Sequence, residues 1–160
     1  MSVTPMKSEI DIAVTARAKV IPILQTAQAS ALDLAGQCKQ AHWNVKGLDF
    51  IALHQFFDTL HGAVSVMVDD LAERLVTLGG MAEGRLKEAT ALSQLPPYTA
   101  KTDGEDHLKA LTVAFAAFAK QTRAAIDAVD EIGDAATADL LTQITRELDK
   151  HLWMIESHLK

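Results

Sequence analysis

The sequence predicts an all-α protein, an up-down four-helix bundle, and three observations carry that prediction. Apolar residues recur at three- and four-residue steps through long stretches without proline, and β-type alternation of branched residues is nearly absent. Glycine and proline are few, 8 and 4 in 160 residues, in a chain that is 49% hydrophobic. This length suits one domain with a sizeable core, read here as an N-terminal extension over 1–21 and a bundle over 22–160.

Pro22 suits the first turn of a helix running to about Asn44, and helical spacing before it leaves room for a short preceding turn. The second helix, 50–78, holds no proline, and Leu53, Phe57, Leu60, Val64, Met67, Leu71, Leu75 and Leu78 mark its buried face. Gly79 and Gly80 supply its stop. A longer connection, 79 to about 102, is broken by Pro96-Pro97 and has room for a short helix near 85–92. Asp103 or Gly104 opens the third long helix, whose apolar line is Leu108, Leu111, Phe115, Phe118 and Ile126. Gly133 ends it, and Thr137 starts a fourth that runs to about His158.

Composition narrows the function classes. Twenty-one acids against 15 Lys plus Arg give a net charge of −6, repulsive towards phosphate, and residues 1–21 offer only Lys7, Arg17 and Lys19 against Glu9 and Asp11. No basic-then-apolar leader is present and no apolar run approaches the ~18 residues of a membrane span, so the chain reads as soluble and cytoplasmic. The single cysteine, Cys38, permits no internal disulfide, fits a reducing compartment and reads as a small packed residue.

The second helix carries polar groups that its packing does not need. At about 100° per residue, His54, Asp58, Asp69 and Glu73 share one stripe, yet they form two clusters roughly 16 Å apart at ~1.5 Å rise. First-shell bonds near 2 Å forbid one ion from reaching both clusters. Two copies packed antiparallel remove the difficulty. Facing residues then have a constant sum of numbers, and His54 with Glu73 gives the same sum as Asp58 with Asp69. Both pairs therefore share a dyad between Ala63 and Val64, where Gly62 and Ala63 permit close approach. A solvated polar stripe is the competing reading. Mixed imidazole and carboxylate ligation suits iron and leaves zinc and manganese open, and the absence of thiolate argues against a structural zinc knot. No glutamate has a histidine three residues later, the motif of bundle-core di-iron centres, and this favours an interface site.

The segments QAHWNVKG (40–47), FIALHQFFD (50–58) and DDLAERLVTLGG (69–80) closely resemble the signature of Dps proteins, the mini-ferritins that protect DNA in starved cells. The ending TADLLTQITRELDKHLWMIESHL (137–159) is similar to the family's last helix. The resemblance implies a ferritin-like four-helix subunit, a hollow dodecamer, and ferroxidase sites shared across two-fold interfaces. Iron, two ions per site, would be oxidised with hydrogen peroxide as co-substrate and stored as ferric mineral. Carried onto this chain, His42, His54 and Asp58 ligate iron from one subunit, and Asp69 and Glu73 come from its partner. Trp43 is then an interface anchor or a cover over the site that intercepts stray oxidising equivalents, and Lys46 pairs with a carboxylate near the site or stays in solvent. The family's acid-lined three-fold pores point to Asp130, Asp134 and Asp139, with surface or capping roles as the alternative. His61, His107, His151 and His158 lack a matched partner set; His61, near the dyad, reads as an interface residue, and Met67 and Met154 as core filler.

Members of the resembled family that condense DNA usually carry a basic N-terminal tail, which residues 1–21 do not supply. A coating protein that compacts DNA and a metal buffer without turnover are the competing functions. In a gel shift at physiological salt this chain is expected to retain little duplex DNA. Tight retention that falls steeply with salt would instead establish phosphate-driven binding.

Overall fold

A computed structural model describes residues 4–159. Five helices follow in order: α1 (Val14–Asn44), α2 (Phe50–Thr77), α3 (Leu86–Leu92), α4 (Gly104–Ile132) and α5 (Ala135–Glu156). Among the described residues, β-pairing is confined to one isolated bridge between Lys46 and Asp103. The architecture is an all-α four-helix bundle, with α1 packed on α2, α4 on α5, and the short α3 against α1.

The chain direction follows from contacts at the two ends. Lys46, in the α1–α2 loop, donates its N–H to the Thr102 carbonyl at 2.9 Å, just ahead of α4. At the opposite end, Arg74 near the C-terminus of α2 meets Asp134 in the α4–α5 turn at 2.8 Å. The connection between α2 and α4 therefore returns the full length of the bundle, and α4 runs parallel to α2, the single-crossover arrangement of ferritin-like folds. Polar residues of α1 hold this connection: Gln37 donates to the Pro96 carbonyl at 3.3 Å, and Ser93 donates to Asp33 at 2.6 Å.

The α2 stripe read from the sequence is buried as expected, from Leu53 through Leu75, and Phe57, Phe115 and Phe118 are fully enclosed. Cys38 is buried in the same core, where desolvation raises its thiol pKa and removes thiolate reactivity. Asp103 caps α4 by accepting from the Glu105 and Asp106 N–H groups, and Gly133 closes that helix at φ 90°.

Two helix starts differ from the expectation. The first helix begins at Val14, so Pro22 lies inside it and not in its first turn. The lost N–H bond is outweighed by burial of Val20, Ile21 and Leu24 and by a clamp at Arg17, only 3% exposed. Its guanidinium donates to the carbonyls of Ile12 at 3.2 Å, Met6 at 3.1 Å and Leu78 at 3.1 Å. Leu78 is the C-cap of α2, where a cation complements the helix dipole. The neighbouring Met6 N–H donates to Gly79 at 2.8 Å, and a Cβ on Gly79 would stand 2.7 Å from the Met6 carbonyl oxygen.

The last helix begins at Ala135, ahead of the expected Thr137, because Asp134 is its cap. The Asp134 carboxylate, in a residue 2% exposed, accepts from the Thr137 N–H at 3.1 Å and hydroxyl at 2.5 Å while pairing with Arg74. Replacing Asp134 by Ala leaves a largely buried guanidinium without its counter-charge and is expected to destabilise the subunit by about 3 kcal/mol. Asp134→Asn, which keeps the cap, should cost less. Urea unfolding of both variants checks the order.

Candidate metal centre

His42 sits in the last turn of α1 and His54 in the second turn of α2, so the tight α1–α2 loop brings them face to face. Their rings stack with centroids 3.7 Å apart at 22°. His42 Nδ1 lies 2.7 Å from the His54 carbonyl oxygen, and His54 Nδ1 lies 2.8 Å from the His42 carbonyl oxygen. A carbonyl only accepts, so each Nδ1 carries the proton. In the neutral rings both Nε2 lone pairs are thereby left for a Lewis acid, the arrangement by which a hydrogen bond to one nitrogen aims the other at a metal.

An open depression of about 430 Å³ is lined by His42, His54, Gln55, Asp58 and Thr59. Asp58, one turn beyond His54, is in contact with the Lys39 ammonium. That hydrogen bond holds the Asp58 carboxyl below its ordinary pKa, against a smaller opposing effect of desolvation. The carboxylate is thus ionised and already balanced by an internal cation. Sequence reasoning did not single out Lys39. Its signal was present in the three-residue step to His42, which places it on the same face of α1.

Asp69 and Glu73 are exposed farther along α2. Within one chain they cannot join the histidines, lying about 16 Å and about 22 Å beyond Asp58 at ~1.5 Å per residue. Among the described residues no three His, Cys, Asp or Glu side chains converge to hold a metal ion. His61 makes the same Nδ1 contact, 3.1 Å from the Ala35 carbonyl oxygen of α1, but its Nε2 lies 3.4 Å from Ser65 Oγ. Trp43 is 69% exposed, and an apolar groove of about 400 Å³ beside it is lined by Leu32, Ala35, Val68 and Leu86 among others. Lys46 makes no ion pair among the described residues and is tied through its backbone. Of the pore candidates, Asp130 and Asp139 are exposed. Asp134 has the capping role given as its alternative, with its carboxylate buried and engaged by Thr137 and Arg74.

A four-helix subunit with imidazoles and carboxylates displayed on one helix surface defines a ferritin-like protein, and a model of the ferritin-like domain matches residues 21–160. The chain is 43% identical over 155 residues to the DNA protection during starvation protein of Agrobacterium fabrum, covering 96% of each. It superposes on DpsA14 from Streptomyces coelicolor with a TM-score of 0.94 at 34% identity, over 100% of this chain and 95% of that one. Against the Dps protein of Vibrio cholerae O1, described as a member of the ferritin-like diiron-carboxylate superfamily, the TM-score is 0.91 at 25% identity, over 100% and 99% of the two chains. The chain belongs to the Dps family.

The histidine geometry makes a prediction that needs no metal. Solid-state ¹⁵N spectra of histidine-labelled, metal-free protein, recorded on the neutral rings, should show His42 and His54 as Nδ1–H tautomers. An Nε2–H tautomer at either residue would contradict the reciprocal bonding.

Proposed function

We propose that this protein oxidises ferrous iron at sites shared between two copies of the chain and stores the ferric product inside a hollow dodecamer. The observation that carries the reading is the reciprocal His42–His54 pair, which leaves both Nε2 atoms unbonded in a depression that the two rings line together with an ionised carboxylate. In the antiparallel α2 pair, Asp69 and Glu73 of the second copy stand opposite Asp58 and His54 and complete each site. The exposed Trp43 and the groove beside it, together with exposed Val66 on α2, give that pairing an apolar contact.

Each residue has a task in this scheme. The two imidazoles accept a ferrous ion as neutral ligands, and the three carboxylates neutralise the charge that grows on oxidation and can bridge two ions. Lys39 holds Asp58 ionised and must release it as the second ion enters. Two ferrous ions each give one electron, and peroxide with two protons becomes two waters, so no hydroxyl radical is released. Binding weakens as pH falls, since both ligand types must be deprotonated. Exposed Asp130 and Asp139 at the α4–α5 turn are the acids proposed to line the iron entry. DNA is protected by removing iron and peroxide together; Arg17 is buried and offers no charge to phosphate, and Lys7 carries Glu9 beside it at 3.5 Å.

The test is anaerobic ferrous loading followed by stoichiometric peroxide, monitored by absorbance. Wild type should oxidise two irons per peroxide, and the His54→Ala/Asp58→Ala and Asp69→Ala/Glu73→Ala variants should each lose the fast phase. Random co-assembly of the two inactive variants should restore about a quarter of wild-type sites, because half the dimers then carry one intact site. No recovery would place both clusters in separate roles, and wild-type rates in either variant would sink the reading.

A further inference from the structure

Away from the histidine pair, the bundle holds a second titratable couple, a half-buried phenol and a buried imidazole, with no part in the scheme above. Tyr98, in the connection after Pro96-Pro97, lies with its phenolic oxygen 2.5 Å from Nδ1 of His107, in the first turn of α4. His107 is fully buried. Burial raises the pKa of the phenol, with the nearby Cys38 thiol adding to it, and burial lowers that of the imidazole. Both groups are therefore neutral at neutral pH and share one proton across a short bond. The Phe57 ring meets the His107 ring edge-on at 6.0 Å, and Phe57 is the residue beside Asp58. A packed aromatic route thus joins the helix turn of the iron site to the Tyr98–His107 pair.

A phenol in this setting can lose an electron only if its proton has somewhere to go, since a phenol cation away from water is costly. The Nδ1 of His107 is that acceptor. Trp43 and Trp153 are exposed, at 69% and 66%, and no hydrogen bond to either indole N–H is present among the described residues. We propose that Tyr98 and His107 form a second redox site, a one-electron trap for oxidising equivalents that escape the iron centre. The trap rests on the iron-oxidising reading for its source of oxidant, though not for its own chemistry. The oxidant is of the hydroxyl-radical class, formed where peroxide meets a lone ferrous ion. It takes one electron from Tyr98 and one proton from solvent to become water. The phenolic proton crosses to His107 Nδ1, leaving a neutral phenoxyl radical beside an imidazolium. A later ferrous ion returns the electron and the proton moves back. A pair that merely anchors the connection to α4 would need the hydrogen bond but would support no radical.

Tyr98 is the only tyrosine in the chain, so a tyrosyl signal has one source. Two arms test the proposal on the assembled protein. In the first, azide radical made by pulse radiolysis oxidises tryptophan, and the tryptophanyl absorption should decay into tyrosyl absorption in wild type but not in Tyr98→Phe. In the second, substoichiometric ferrous iron with excess peroxide is freeze-quenched for electron paramagnetic resonance, with the tyrosyl signal again lost in Tyr98→Phe. Electron-nuclear double resonance should find one strongly coupled proton on the radical that vanishes in D₂O, marking the hydrogen bond from His107 without a mutation in the core. His107→Gln should lower the radical yield several-fold. A wild-type protein that stops at tryptophanyl, or a tyrosyl without the exchangeable proton, overturns the trap. So does iron oxidation with no tyrosyl in the second arm. A preparation that oxidises no iron yet passes the first arm retires the iron reading and supports the pair.

Discussion

The reciprocal hydrogen bonds between His42 and His54 are the constraint on which the site depends. Each imidazole is tethered to the main chain of the other helix, so the pair fixes the register of the α1–α2 hairpin and the tautomer of both rings at once. A one-residue slip of α2 against α1 would break both bonds and turn the rings by about 100°, and the apolar stripe from Leu53 to Leu75 would leave the core with them. Ligand geometry and core packing are thus specified by the same helix contact. The preorganisation is paid for by folding and not by metal, which is what a site needs if ions are to pass through it.

The crossover connection imposes the second constraint. Because α4 starts at the end where α2 started, the intervening segment must run along the bundle with little secondary structure of its own, and its backbone polar groups need partners. The polar residues of α1 supply them: Gln28 donates to the Glu83 carbonyl, the Ser30 hydroxyl accepts from the Gln94 N–H, and Gln37 donates to the Pro96 carbonyl. This explains why α1 has polar residues on buried positions and a less clean apolar face than α2. Arg17 does the same at the start of the connection, with three carbonyls around one charge.

Features that depend on one helix were legible in the sequence. The α2 stripe, the Asp103 cap and the Gly133 stop follow from periodicity and local backbone chemistry, and the structure has them where expected. The ligand candidates were found because charged groups on a regular stripe need a reason to be there. Features that depend on contacts between distant segments were not legible. Pro22 looks like a helix start until Arg17 is seen bonded to residues on both sides of it in the fold. Asp134 looks like a free acid until Arg74, sixty positions earlier, is placed against it. Lys39 and Asp58 meet only because α1 and α2 are antiparallel. In each case the missing information was a long-range partner for a charge, which no local pattern encodes.

Placing the proposed metal ligands on the outer face of α2 also resolves a conflict inside the subunit. A four-helix bundle that carries its carboxylates in the core must bury several like charges, which is strongly unfavourable until metal arrives. Here the inner face of α2 is apolar from Leu53 to Leu75, and the polar groups left inside, such as Thr122 and Thr145, bond to each other at 2.8 Å. The subunit therefore folds with no call on the metal. What it gives up is a complete site, because one helix can present its two ligand clusters only a long distance apart. Under the proposed pairing, the second copy restores completeness, and iron then adds binding energy to the same contact that builds the site. Assembly and chemistry become linked: a chain that has not found its partner can bind ferrous iron only weakly, and cannot pair two ions for a two-electron oxidant. That is where one-electron products would arise, and it is beside this half-site that Phe57 leads inward to Tyr98 and His107.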